Sequence, residues 1–405
     1  MRILLMTDLY PPFHVGGHEL RCKVNCDELR KRGHDIVVLT SNRGTTQFVD
    51  ENVVLRILYY LDNRQKSMVR RRAGHLMQGL LARKNYRLTK QILDRFKPDI
   101  VLAGKLMKVS YLTLKAVKDS GIPTVHHIGH YDLPELVGAC QYETNSLKKV
   151  YRRFVYGIRT LDDLDTNHII VVSNAVREKY VKIPLHDSHV TVIPPTGIPA
   201  AAIRSVESRE RRAERGSLRL LYVGRIGSEK GIDVGIEALQ LLLLRGFDNM
   251  TLDVIGGGDR DYTEFLREMV RNRDMEKKVF FHKTMSQEEI FAEYKRHDIL
   301  LVPSQWEEPF GMIVLEGMSQ SIPVIASRVG GITDVIVNRE NGLLVSPGSP
   351  EELADAVAEL ANDSNFTSYL VNNAVNTVRN KFTRESVVDR LENYLIAVRG
   401  VSRHL

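Results

Sequence analysis

An α/β protein built from two doubly wound parallel domains is the fold that this sequence predicts. Short β-branched and aliphatic runs alternate with helical stretches from end to end, which is the order of βαβ units. The alternation then restarts. A charged stretch at 205–216, nearly free of large apolar residues, separates one series of strands from a second that opens at Leu218. At 405 residues the chain is also too long for one ordinary domain.

In the first half, strands are expected at 3–6, 36–39, 100–102, 124–125, 169–172 and 190–193. The opening strand runs into Pro11-Pro12-Phe13-His14-Val15-Gly16-Gly17-His18-Glu19. Strand, glycine pair and helix start make a loop suited to close approach, so Gly16 and Gly17 are ligand candidates, with His14 and His18 beside them. Cys22, Cys26 and Leu29 follow at i, i+4 and i+7, a helical face of buried thiols rather than a metal pair. From Arg64 to Lys97 the chain carries eleven Lys or Arg against one acid, Asp94. Met77, Leu81, Leu88 and Ile92 stand there near helical spacing, so the segment reads as a solvated helix covering the domain. The sharper alternatives are contact with an anionic membrane surface or with a phosphate-bearing acceptor.

After the strand at 124–125 comes His126-His127-Ile128-Gly129-His130-Tyr131-Asp132. Three histidines and an aspartate invite a metal reading, but neither a cysteine nor a second carboxylate accompanies them at metal-site spacing, and no metal is expected. Ser173-Asn174 closes the strand at 169–172, and Pro194-Pro195-Thr196-Gly197 ends the first half.

The second half has expected strands at 218–224, 252–255, 279–281, 299–302, 324–326 and 343–345. Gly224-Arg225 closes the first of these, and Lys230-Gly231 leads into a helix with Ile232, Ile236 and Leu239 on one face. Arg225 and Lys230 place cations beside a helix start, the arrangement that a diphosphate requires. Gly256-Gly257-Gly258-Asp259 sits at the next strand end, without the Gly-x-Gly-x-x-Gly spacing of a dinucleotide fingerprint. The strand at 299–302 delivers a Pro309-Phe310-Gly311 turn flanked by Glu308 and Glu316. Gly311, Met312 and Ile313 should open a helix whose free N–H groups face phosphate. Gly330-Gly331 and Asn341-Gly342 close later turns, and 386–395 forms a last amphipathic helix.

The Glu-x7-Glu pair of Glu308 and Glu316, together with Gly224-Arg225 and Lys230-Gly231 spaced as Gly-Arg-x4-Lys-Gly, resembles retaining glycosyltransferases of the GT-B fold, family four (glycosyl transferases group 1). The resemblance spans nearly the whole chain and implies two Rossmann-like domains facing across a cleft. These would be an acceptor domain at 1–198, a linker at 199–217, a donor domain at 218–380, and a helix at 381–405 crossing back to the first domain. It implies that Glu308 binds hydroxyls of the donor sugar, Glu316 takes the ribose hydroxyls, and Arg225 and Lys230 neutralise the leaving diphosphate. Gly16, Gly17, Gly224, Gly257, Phe310, Gly311, Met312 and Ile313 would line the donor. His130, with His126 or His127 as alternatives, would meet the reacting sugar. Here the chain departs from the family's His-Asp pair, because Tyr131 separates His130 from Asp132, and Lys283 stands where the family commonly has glycine.

The implied activity moves a sugar from a nucleoside-diphosphate donor to an acceptor hydroxyl, with retention, without a metal and without a cofactor. UDP or GDP is the expected nucleotide, and a sugar, a lipid-linked glycan or a small molecule the expected acceptor. A sugar-nucleotide epimerase and a non-catalytic nucleotide-sugar or membrane-associated binding protein are the alternatives.

Composition narrows the classes further. With 43% hydrophobic and 26% charged residues the chain is globular, and no apolar run reaches the roughly 18–20 residues of a spanning helix. The start, Met1-Arg2-Ile3-Leu4-Leu5-Met6-Thr7-Asp8, reads as a first strand rather than a signal peptide. Three cysteines fit a reducing cytoplasm, at the inner membrane surface if the basic segment docks there. The net charge of +7 does not imply nucleic acid, because no aromatics interleave with the basic residues.

Overall fold

The computed structural model describes residues 1–13, 16–44, 53–61, 68–129, 164–181, 189–205 and 217–401. They form two compact α/β units: Met1–Thr196 with Val388–Leu405, and Gly197–Val387. His14, His130, Tyr131, Asp132, the charged stretch at 206–216 and the start of the basic segment lie outside the described residues.

The first unit carries a seven-stranded sheet: β1 (Arg2–Met6), β2 (Asp35–Ser41), β3 (Val54–Leu58), β4 (Ile100–Ala103), β5 (Thr124–Ile128), β6 (His168–Val171) and β7 (His189–Val192). Its order is β3-β2-β1-β4-β5-β6-β7, and every pairing is parallel. The second unit carries six parallel strands: β8 (Leu218–Val223), β9 (Met250–Ile255), β10 (Val279–His282), β11 (Ile299–Val302), β12 (Val324–Ser327) and β13 (Leu343–Val345). They lie in the order β10-β9-β8-β11-β12-β13. Each sheet is therefore Rossmann-like, with its first strand at the point where the order reverses. Ligands of such sheets bind outside the carboxyl ends of the strands at that point.

Parallel strands are covered on both faces, which is why Ile299-Leu300-Leu301-Val302 and Leu4-Leu5-Met6 are unbroken apolar runs and fully buried. Burying one such side chain contributes about 1.5–3 kcal/mol. Ile232, Ile236 and Leu239 of the helix after β8 lie in the core of the second unit, and Cys22, Cys26 and Leu29 are buried along one helix in the first.

Two features differ from the sequence reading. Strand β3 was not expected, and it forms the edge beside β2. The helix Met68–Phe96 does not turn Met77 inward, where 56% of it is exposed. Its buried stripe instead runs through Gln78, Ala82, Asn85, Thr89 and Leu93. Asn85 accounts for the polar stripe: its amide bonds to the Tyr59 N–H at 2.7 Å and to the Tyr59 and Val109 carbonyls at 2.9 and 2.8 Å.

The helix Arg384–Val401 ends among first-unit residues. Arg32 bonds to Asp389 and Glu392 at 2.6 Å each, and Arg399 pairs with Asp99 at 3.0 Å.

Candidate functional site

In the second unit the order reversal falls between β8 and β11, and two loops leave the sheet there side by side. The loop after β8 is tied to the loop after β11 by the Gln305 N–H, which donates to the Glu229 carbonyl at 2.9 Å. Gly231 permits this contact. It sits in the left-handed region at φ +66°, and a Cβ there would lie 2.0 Å from the Pro303 carbonyl oxygen. Gly330 does the same for the other side of the loop: at φ +48° it packs on the Glu308 backbone, where a Cβ would come within 2.2 Å of the Glu308 carbonyl oxygen. The Gly331 N–H donates to that same oxygen at 2.7 Å. Two of the glycines legible as a motif thus hold Glu308 in place.

These loops join Lys230 to Glu308. The ammonium forms an ion pair with Glu308 Oε1, and Ser304 Oγ donates to the same oxygen at 2.9 Å. The side chains are only 17% and 14% exposed, so the pair is partly desolvated but open to a small ligand. Lys230 Nζ also stands 5.1 Å over the Trp306 ring. Arg225 lies differently. It is 62% exposed and paired with Glu229, and its carbonyl accepts from Tyr222 Oη at 2.8 Å.

Gly224 follows β8, and Gly257 follows β9, where its carbonyl accepts the Ile226 N–H at 2.9 Å. Asp259 behind it is a helix cap, accepting from the Asp261 and Tyr262 amides at 2.9 and 3.1 Å. Gly311, at φ +87°, starts the helix Met312–Ser319, and no side chain caps it. The amides of Met312 and Ile313, in its first turn, therefore have no acceptor within the helix and no side-chain cap. Phe310 turns its ring away into the interior, against Phe382 at 6.0 Å between centroids, so only its backbone faces the loop.

Glu316 lies on that same helix and accepts from Tyr294 Oη at 3.1 Å. Burial raises its carboxyl from the ordinary 4.5 to about 7, against the hydrogen bonds from Tyr294 and Gln287. A neighbouring cluster was not visible in the sequence. Asp253 of β9 bonds to His282 at 2.5 Å, to His297 at 3.0 Å and to Arg219 at 3.0 Å. Burial opposes ionisation of Asp253, but those three hydrogen bonds outweigh it and hold the carboxyl well below its usual range. The only sequence signal was one acid inside the apolar run Leu252-Asp253-Val254-Ile255.

In the first unit Gly16 precedes the helix Gly17–Lys31, and its amide donates to Glu19 at 3.0 Å. No described atom lies near where a Cβ on Gly16 or Gly17 would go. His126 is buried in β5 with Nε2 2.6 Å from the Asp165 carbonyl, and His127 is buried beside it. Among the described residues no three of His, Cys, Asp and Glu come together as a metal site.

Two family profiles match the chain. The one described as Glycosyltransferase Family 4 covers residues 15–197, and Glycosyl transferases group 1 covers 204–377. An uncharacterized glycosyltransferase of Methanocaldococcus jannaschii is 26% identical over all of both chains. Glycogen synthase of Mycobacterium tuberculosis is 26% identical over 99% of this chain and 96% of its own. Among solved structures, Anabaena HepE in complex with UDP superposes with a TM-score of 0.70 at 18% identity, covering 98% of this chain and 100% of that one.

Proposed function

We propose that this chain, a glycosyltransferase of the GT-B fold, transfers a sugar from a nucleoside-diphosphate donor held on its second unit, with retention at the anomeric carbon and without a metal. The observation that carries this reading is the Lys230–Glu308 pair at the β8/β11 reversal, beside the uncapped start of Met312–Ser319.

The groups divide the work. Glu308 accepts hydroxyls of the donor sugar, and Glu316 accepts those of the ribose. Lys230, Arg225 and the amides of Met312 and Ile313 neutralise the diphosphate as the bond from the anomeric carbon to phosphate oxygen breaks. No carboxylate is assigned as a nucleophile. The acceptor hydroxyl therefore attacks from the face that the diphosphate leaves, and its proton passes to the departing phosphate oxygen. His130 remains our assignment for the residue that meets the sugar. UDP stands first among the nucleotides because the Anabaena neighbour is a UDP complex, with GDP next.

The test is thermal unfolding of wild type and Glu316→Ala with UDP, GDP, ADP and dTDP in turn. A nucleotide at about 100 times its dissociation constant should stabilise the wild type by roughly 2.7 kcal/mol and the variant far less. No shift with any nucleotide would leave the fold without a donor site and overturn the reading.

A membrane contact is the second proposal, favoured by one face of Met68–Phe96. Met77 and Leu80 are 56% and 49% exposed and align with the exposed Lys84 and Arg87 at i, i+3, i+7 and i+10. Among the described residues no helix is long and apolar enough to cross a membrane, so this contact would be peripheral. Binding to vesicles containing phosphatidylserine should weaken steeply as salt rises. Binding that ignores salt, or survives Lys84→Glu with Arg87→Glu, would dispose of it.

A further inference from the structure

The first unit buries a cation with no hydrogen-bonded anion among the described residues. Arg21, on the helix Gly17–Lys31, is 5% exposed, and its guanidinium is charged at any pH at which the protein is folded. Nη2 bonds to His18 Nδ1 at 2.8 Å and donates to the His127 carbonyl at 3.4 Å, while Nε has no hydrogen-bond partner among the described residues. Neither partner is an anion. Glu19, the nearest carboxylate in sequence, favours the charge on Arg21 but hydrogen-bonds the Gly16 amide, at 3.0 Å, instead of the guanidinium. The adjoining Cys22 thiol is pushed up to about 11, chiefly by burial, and stays neutral. A buried charge whose hydrogen bonds are incomplete is costly, and a ligand that bonds the guanidinium directly recovers part of that cost.

The place is also right for a ligand. Arg21 lies against Gly129, the residue after β5, where a Cβ would stand 2.5 Å from Nη1. Gly104, the residue after β4, meets His18 in the same way, at 2.9 Å from Nε2. Beside them is a cavity of about 40 Å³ lined by His18, Lys105, Tyr111, His126 and His127. His127 is 4% exposed and its Nε2 has no hydrogen-bond partner among the described residues. Two buried nitrogens without a hydrogen-bond partner among the described residues, Arg21 Nε and His127 Nε2, therefore belong to side chains at the strand ends near the β1/β4 reversal, the ligand position of this kind of sheet.

We propose that Arg21 and His127 form an anion site in the first unit that takes the phosphate or carboxylate of the acceptor. A planar guanidinium matches either oxyanion, and a neutral His127 donates from Nε2. Only the word acceptor rests on the glycosyl-transfer reading; the anion site stands on the first unit by itself.

The test follows thermal unfolding of the full chain during titration with inorganic phosphate, sulfate or acetate, at constant ionic strength against chloride. It uses wild type and Lys230→Ala, the latter to remove phosphate binding at the donor site. A saturable rise should appear in both proteins. Response to phosphate and sulfate alone would assign a phosphate-bearing acceptor, and response to acetate as well a carboxylate. Arg21→Gln should weaken the anion at least about ten-fold. Gly129→Ala keeps the charge but displaces the guanidinium and should do the same, which covers the case that Arg21→Gln does not fold. No rise over chloride, or one that Lys230→Ala abolishes and Gly129→Ala leaves, would overturn the site. Neither result would alter the nucleotide shifts, so the two readings fail separately.

Discussion

Lys230→Ala should lower turnover of the nucleotide sugar by about 10²–10³-fold, the usual cost of removing one preorganised stabiliser of charge that develops in the transition state. The ammonium ends the short turn Ser228–Lys230 and is aimed by Gly231 behind it, so it reaches Glu308 without a flexible loop between them. Its nitrogen stands over the Trp306 ring, and the ion pair is mostly shielded from water. A cation held so is in place before the leaving diphosphate gains charge, which is why most of the loss should fall on kcat rather than on KM. Removing it does not strand Glu308, since Ser304 Oγ still donates to the carboxylate. The variant is therefore expected to fold and to show a normal unfolding transition. Arg225→Ala should cost less, because Arg225 is exposed and already neutralised by Glu229. An unchanged kcat in Lys230→Ala, or a larger loss in Arg225→Ala, would move the diphosphate elsewhere.

Why Lys230 and Glu308 were legible as residues and not as a pair follows from the kind of information each carries. Buried parallel strands read as unbroken apolar runs, so β8 and β11 stand out, and the residues just past them are at the strand ends whatever their partners. The pairing is a contact across 78 positions and depends on two loop conformations. Glycines at 231 and 330 mark those loops without saying what they approach. Strand β3 escaped for the opposite reason. It is an edge strand whose burial alternates, with Arg56 at its centre. That arginine is buried because its Nη atoms donate to the Tyr10 and Pro11 carbonyls at 2.9 and 2.6 Å, partners far away in sequence. The Asp253 cluster is similar: its two histidines come from 29 and 44 positions away, beyond any local pattern. Arg21 carries no sequence signal of its own, and only its burial beside Gly129 singles it out.

Glu316 should give opposite pH dependences to folding and to nucleotide binding. Burial raises its carboxyl to about 7, so between about 4.5 and 7 the folded chain holds a proton that the unfolded chain has lost. That contribution to stability is full below the lower value and gone above the upper one. It falls as pH rises, by up to about 3 kcal/mol across the window. Glu316→Gln cannot titrate and should flatten this slope. Asp8 in the first unit is also raised to about 7 by burial, so some slope remains, and the difference between the two proteins isolates Glu316. Nucleotide binding runs the other way. A carboxylate that accepts two ribose hydroxyls has to be ionised, so affinity should rise from pH 6 to pH 8, and binding below pH 7 should release a proton. At pH 8 Glu316→Gln should bind about 10–100-fold more weakly, the worth of hydrogen bonds to a charged acceptor, and the gap should narrow at pH 6. Calorimetric titrations in buffers of different ionisation enthalpy count the proton directly. A pH-independent affinity, with no proton released, would mean that the ribose is held by something other than Glu316, even if the nucleotide binds as proposed.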